Sequence, residues 1–205
     1  MNENSTKRAP VLTIDGPGGA GKGSLALELA TSLGWNILDS GAVYRIFAFM
    51  ADKNRIDCSD IESVRLFAHH FNVSFLLRNK SLQVFSEGQN LTALIRTEEI
   101  GALASEYAAV PEVREVLFKI QRRARTNPGL VADGRDMGTT IFPDATLKVF
   151  LTASASVRAK RRYKQLKEKG LNVNLARLKN EMLARDQRDR RRDVSPLVES
   201  TDSYL

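Results

Sequence analysis

Three stretches of the sequence carry residues whose types and spacing suit phosphate chemistry. The first is Gly16-Pro17-Gly18-Gly19-Ala20-Gly21-Lys22, which matches G-x-x-x-x-G-K and runs on through Gly23 and Ser24. Glycines let backbone N–H groups turn toward a phosphate without Cβ clashes, and the positive end of a following helix adds to the pull. Lys22 would then reach the outer phosphates of a nucleoside triphosphate. Gly23 occupies the usual Ser/Thr position, so the Ser24 hydroxyl is the candidate Mg²⁺ ligand. A glycine-rich turn with no ligand is the alternative. The apolar run before the motif and the helical pattern after it favour phosphate binding.

The second stretch is Asp133-Gly134-Arg135-Asp136, directly after the apolar Leu130-Val131-Ala132. In parallel α/β sheets, ligands bind beyond the carboxyl ends of the strands. Asp133 is placed to hold Mg²⁺, through water, and Arg135 to clamp a transferring phosphoryl group. A tight loop with a local Asp–Arg pair is the competing reading. The third stretch is a late helix. Leu175, Leu178 and Met182 follow 3-4 spacing, which continues through Arg185, Asp189 and Arg192. One stripe thus changes from apolar to charged, and charges facing inward need partners or a ligand. The same pattern also fits a helix end that emerges into solvent. Arg158, Arg161 and Arg162 open a basic helix, with 158 and 162 on one face. They suit either a closing phosphate clamp or a solvated basic face.

The elements that must position these groups follow from periodicity. Val11–Ile14 reads as a strand, 22–33 as a helix, Asn36–Leu38 as a strand and 42–52 as a helix. Val73, Phe75 and Leu77 alternate, as do Leu82 and Val84, with Arg78 to Ser81 as the turn of a hairpin. Helices are expected at 97–108 and 112–125, split by Pro111. Leu130–Ala132 and Leu147–Leu151 read as central parallel strands, followed by helices at 154–168 and about 174–191. The expected fold class is α/β: a three-layer P-loop fold with a parallel sheet between helices. Residues 1–9 are expected as a flexible tail, 10–56 and 111–205 as the core, and 57–110 as an insert containing a small antiparallel sheet. Such a domain would usually add a last strand and helix after the late helix, and the sequence ends at Leu205.

Composition sets the outer limits. The 205 residues suit one domain, with 42% hydrophobic and 27% charged residues, as in soluble globular proteins. The net charge of +7 suits polyanionic partners: nucleic acid, acidic membranes or small phosphorylated substrates. A single cysteine, Cys58, excludes an intrachain disulfide, and His69 and His70 without nearby cysteines make a poor metal site. No signal peptide and no membrane-length apolar run are present in the sequence given. A cytoplasmic location is expected.

Five segments together resemble the bacterial cytidylate kinase family: Thr13–Ser24, Leu38–Arg45, Val131–Ala145, Phe150–Arg162 and Arg185–Leu197. The likeness spans about 11–202, with Gly18 where Ser is common and Ser24 where Thr is common. It implies ATP-dependent phosphorylation of CMP and dCMP, with Mg²⁺. The ATP loop would be Gly16 to Ser24. The monophosphate site would comprise Ser40, Tyr44, Arg45, Ser105, Arg114, Arg135, Asp136, Arg185, Asp189 and Arg192. Lys22, Asp133, Arg135, Arg158 and Arg162 would serve catalysis, with a short lid near 155–170. ATP and CMP or dCMP are the expected partners of a monomer that binds neither nucleic acid nor membrane. Another monophosphate kinase, acting on UMP/CMP or AMP, and a basic nucleic-acid-binding protein are the alternatives. A regulatory GTPase would need Asn-Lys-x-Asp, and Asn79-Lys80-Ser81-Leu82 ends in leucine.

Overall fold

In a computed structural model, described for residues 8–205 except 79, 80 and 169, the apolar runs form a parallel sheet. Its strands are β1 (Val11–Asp15), β2 (Asn36–Asp39), β6 (Leu130–Asp133) and β7 (Leu147–Phe150), in the order β2-β6-β1-β7. All five residues of β1 and all four of β6 are buried, as central strands covered on both faces must be. The expected tail, 1–9, lies mostly outside the described residues. Its last residue, Ala9, is buried, and its carbonyl accepts from Arg125 Nε at 2.7 Å.

Helices α1 (Lys22–Leu33) and α2 (Ser40–Lys53) follow β1 and β2. Asp39 caps α2, its Oδ1 accepting from the Ala42 amide at 2.9 Å. Between α2 and α5 (Pro111–Arg123) lie α3 (Ile61–His70), the antiparallel strands β3 (Ser74–Arg78), β4 (Ser81–Ser86) and β5 (Gln89–Asn90), and α4 (Glu98–Tyr107). The hairpin forms in the expected register, Phe75 opposite Val84 and Leu77 opposite Leu82. The middle of its turn, residues 79 and 80, lies outside the described residues. Helix α3 and strand β5 add to the expected elements. Helix α3 turns only Val64 and Ala68 fully inward, and β5 is two residues long. The helices α6 (Ala155–Glu168) and α7 (Leu175–Arg191) pack against each other beyond β7.

The larger apolar core lies between the sheet and α2, α3, α4 and α5, where Phe47 meets Phe67, Phe71 and Tyr107 edge-on at 5.2 to 5.5 Å. A second cluster joins Leu12, Ile14 and Val131 of the sheet to Ala26 and Ala30 of α1. Beyond α7, Tyr204 runs parallel to β7. Its carbonyl accepts from the Phe150 amide at 2.7 Å, and its amide donates to the Lys148 carbonyl at 2.9 Å. One residue therefore stands where a last strand is expected.

Candidate active site

The carboxyl ends of β1, β2 and β6 and the helices α4, α6 and α7 surround a cleft of about 2010 Å³. Gly16 to Ser24 joins β1 to α1, and the chain passes so close to β7 that only glycine fits at its start. A Cβ on Gly16, at φ +142°, would lie 2.0 Å from the Leu151 carbonyl oxygen. Lys22 is folded back and buried. Its Nζ donates to the Pro17 carbonyl at 3.2 Å and lies 3.7 Å from Asp133 Oδ1. Burial, and then the nearby Arg135, push its ammonium down to about 8 against the pull of Asp133. Burial pushes Asp133 up to about 6, with Lys22 opposing. Each group thus holds its partner's charge against burial.

Gly23 has a reason to be glycine: a Cβ there would stand 3.3 Å from Asp133 Oδ2. Asp133 thus rests against the loop, one residue from the exposed Ser24. A hydroxyl and a carboxylate are hard oxygen donors, which suits Mg²⁺ shared with nucleotide phosphates and water. Among the described residues no group of three or more His, Cys, Asp or Glu could form an all-protein metal cage.

The arginines divide into cleft-lining and buried sets. Arg135 and Arg185 line the cleft. Arg135 Nε donates to Asp189 Oδ2 at 3.0 Å, while Asp189 Oδ1 accepts from the Ser105 hydroxyl at 3.1 Å. Burial disfavours the Arg135 charge, but Asp189 and Asp133 outweigh it and raise its pKa. Arg185 is pushed down to about 10 by burial and then by Arg135. Its Nε finds no partner among the described residues, nor do Nε of Arg114 and of Arg192. Buried donors without acceptors are costly, and a cluster of them marks a place built for an anion. Behind the cleft wall, Arg114 pairs with Asp136 and sits 5.6 Å over the Tyr44 ring. Burial pushes the Tyr44 hydroxyl up to about 12. Arg192 Nη2 donates to the Ser195 carbonyl at 2.6 Å, and Ser40 is buried at the start of α2.

Three other expected residues are engaged by the protein in this structure. Arg45 Nη1 donates to the carbonyls of Ile95 and Thr97, each at 2.8 Å. Gly101 makes room for it, because a Cβ there would lie 2.6 Å from Arg45 Nη2. Arg162, on α6, reaches across the cleft to Glu98 on α4, Nε to Oε1 at 2.6 Å. Arg158 is buried, and its three nitrogens go to the carbonyls of Gly18 and Ala153 and to Asp186 Oδ2, at 2.9, 2.8 and 2.6 Å. Arg158 is therefore a tie between the phosphate loop, α6 and α7. Arg161 adds a similar tie to the Ala20 carbonyl at 3.1 Å. Sequence reasoning missed Asp15, Glu98 and Asp186. Asp186 was within reach of it, because it is four residues after Met182 and so falls on the same stripe.

One model, that of cytidylate kinase, matches residues 12–205. The chain belongs to the cytidylate kinase family. It is accordingly a kinase, a phosphotransferase. It is 51% identical over 202 residues to the cytidylate kinase of Shewanella sp. (strain W3-18-1), covering 98% of this chain and 88% of that one. It is 52% identical over 200 residues to that of Serratia proteamaculans (strain 568), covering 98% and 87%. The crystal structure of a Thermus thermophilus protein aligns over 95% of this chain and 90% of its own at 22% identity, with a TM-score of 0.41. No helix among the described residues is long and apolar enough to cross a membrane.

The electrostatics of Asp189 give a stability prediction. Burial pushes its carboxyl up, but Arg135, Arg185 and Arg192 outweigh burial and hold it below the usual carboxylate range. A depressed carboxyl stabilises the fold above its unfolded pKa and loses that contribution as pH falls through the lower folded value. Melting temperatures of the unsubstituted protein and Asp189→Ala should therefore differ most above the ordinary carboxylate pKa of about 4 and draw together as pH falls below it. A constant difference on both sides of that pKa would mean that the charge of Asp189 does not hold the arginines together.

Proposed function

We propose that this chain transfers the γ-phosphoryl group of ATP to CMP and dCMP. The observation that carries the reading is Arg185, half-buried with an inaccessible and unpartnered Nε, which lines the same cleft as Arg135 and Lys22. Positive charge held out of water on two sides of one cleft suits two phosphate groups meeting there. Family membership supplies the identity of the nucleotides.

In this reading the amides of Gly16–Ser24 cradle the ATP phosphates and Lys22 bridges the outer two. Ser24 and Asp133 would hold Mg²⁺, directly or through water, and the ion when bound screens phosphate charge. Arg135 and Arg185 hold the acceptor phosphate, with Arg45 beside them. Asp189 faces the sugar. Asp136, Arg114 and Ser105 read the base, against Tyr44, and Arg192 closes the pocket. The acceptor oxygen attacks in line and is already a competent nucleophile, so no side chain need act as base. Catalysis is then alignment and charge stabilisation in a water-poor cleft. Arg158 fixes the loop through Gly18, and Arg162 exchanges Glu98 for phosphate as the lid at 155–170 closes. The enzyme acts as a cytoplasmic monomer, with 57–110 as its monophosphate-binding insert and no nucleic acid or membrane partner.

Incubation with ATP and CMP should give ADP and CDP in equal amounts. ADP without CDP would contradict the reading. Asp189→Ala should raise KM for CMP about tenfold or more, with KM for ATP nearly unchanged, because the Asp189 carboxylate accepts from Ser105 and Arg135. A larger rise for ATP would contradict its assignment to the sugar side.

A further inference from the structure

Asp136 stands at the N-cap of a short π-helical turn, Met137–Ile141, yet its side chain makes no capping bond. An aspartate at that position ordinarily folds back to accept the first free amides of the turn. Here the amides are already taken. Asp15, the last residue of β1, accepts from the Met137 amide through Oδ1 at 2.8 Å and from the Gly138 amide through Oδ2 at 2.7 Å. The donor and acceptor lie 122 and 123 residues apart in sequence. Asp136 is left free to pair with Arg114 instead.

We propose that Asp15 is a positioning residue for base selectivity: by capping the 137–141 turn from β1, it keeps the Asp136 carboxylate turned toward Arg114 and the base. The inference rests on the reading of Asp136 as the group that faces cytosine. Two features support it. Asp15 is buried at 5% exposure, and a buried carboxylate is held only where donors meet both oxygens. Asp15 also directly precedes Gly16, so one residue joins the start of the ATP loop to the base-reading turn. Burial pushes its carboxyl up to about 6, with the Gly138 and Met137 amides and Lys22 working against that rise. An amide donor on each oxygen favours the carboxylate form.

Asparagine at position 15 keeps the shape but turns an N–H₂ toward one of the two amides. Asp136 would then swing back to cap its own turn. Asp15→Asn should raise KM for CMP roughly tenfold, leave KM for ATP within about threefold, and narrow the CMP/UMP ratio of kcat/KM roughly tenfold. Combined with Asp136→Asn it should narrow the ratio little further, because both act through one carboxylate. A residue that merely stabilised the fold would lower CMP and UMP turnover alike, and an unchanged ratio overturns the proposal. A second measurement does not depend on the variant folding. In the unsubstituted protein, scalar coupling across the hydrogen bonds should link the Met137 and Gly138 amide nitrogens to the Asp15 carboxyl carbon. Coupling to the Asp136 carboxyl carbon, or to neither, overturns the proposal. Because that coupling is read without substrate, it separates failure of the cap from failure of the CMP assignment.

Discussion

Lys22→Ala should lower kcat by about 10³-fold while the protein still melts cooperatively. The size of the loss follows from where Lys22 sits. Its ammonium is buried, 3.7 Å from Asp133 and in a cleft shared with Arg135 and Arg185. In so dry a place a charge aimed at the transferring phosphate is worth far more than in water, and no solvent can replace it. The fold should survive because burial already opposes the lysine charge and pushes it down to about 8. The variant leaves Asp133 without its partner, and that carboxyl, already pushed up to about 6, can take a proton. Steady-state rates at saturating ATP and CMP check the prediction. A loss of only a few-fold in kcat would show that Lys22 does not act on the transferring group.

The second large effect concerns the base. Asp136→Asn should reduce kcat/KM for CMP by about 10²- to 10³-fold and reduce UMP turnover much less. Cytosine offers an N4 amino donor where uracil offers an O4 acceptor, and a carboxylate accepts from the first and repels the second. An amide at 136 can turn its own donor toward O4, which offsets part of the loss for UMP. Asp136 is 2% exposed, so a base held there meets little water to make good a lost bond. The substitution also leaves the buried Arg114 without its anion. That second effect lowers binding of every pyrimidine, so the ratio of CMP to UMP is the quantity to read. A fall by the same factor for both would mean that Asp136 serves only to hold Arg114.

Much of this site was legible in the sequence, for local reasons. The strand, loop and helix from Val11 to Leu33 follow from an apolar run, glycines and 3-4 spacing, all within one stretch of chain. The charged end of α7 fits either an inward-facing stripe or a solvent-exposed end, and in the fold Asp189 is buried beside Ser105 and Arg135. What the sequence leaves dark is the partner of each charge. Arg45 looks like a phosphate clamp, and in the fold its guanidinium reaches backbone carbonyls at Ile95 and Thr97. Arg158 looks like a mobile lid residue, and the fold spends all three of its nitrogens on ties to Gly18, Ala153 and Asp186. Asp15 looks like a strand end, and its role depends on amides more than a hundred residues away. Periodicity reports which face of an element is buried, whereas these contacts depend on how separate elements meet. Strand β5 stayed hidden because two residues are too few to leave a pattern, whereas α3 does carry helical spacing toward the core at Val64, Phe67 and Ala68.

The central claim is that one cleft joins ATP to a cytosine monophosphate. A coupled assay of ADP release with CMP, dCMP, UMP, AMP and GMP as acceptors, at equal concentration and limiting acceptor, tests it most directly. The account predicts that CMP and dCMP give kcat/KM values far above the rest, UMP trails by up to about 10⁴-fold, and the purines are slower still. Equal rates with CMP and UMP, or a faster rate with AMP, would contradict it.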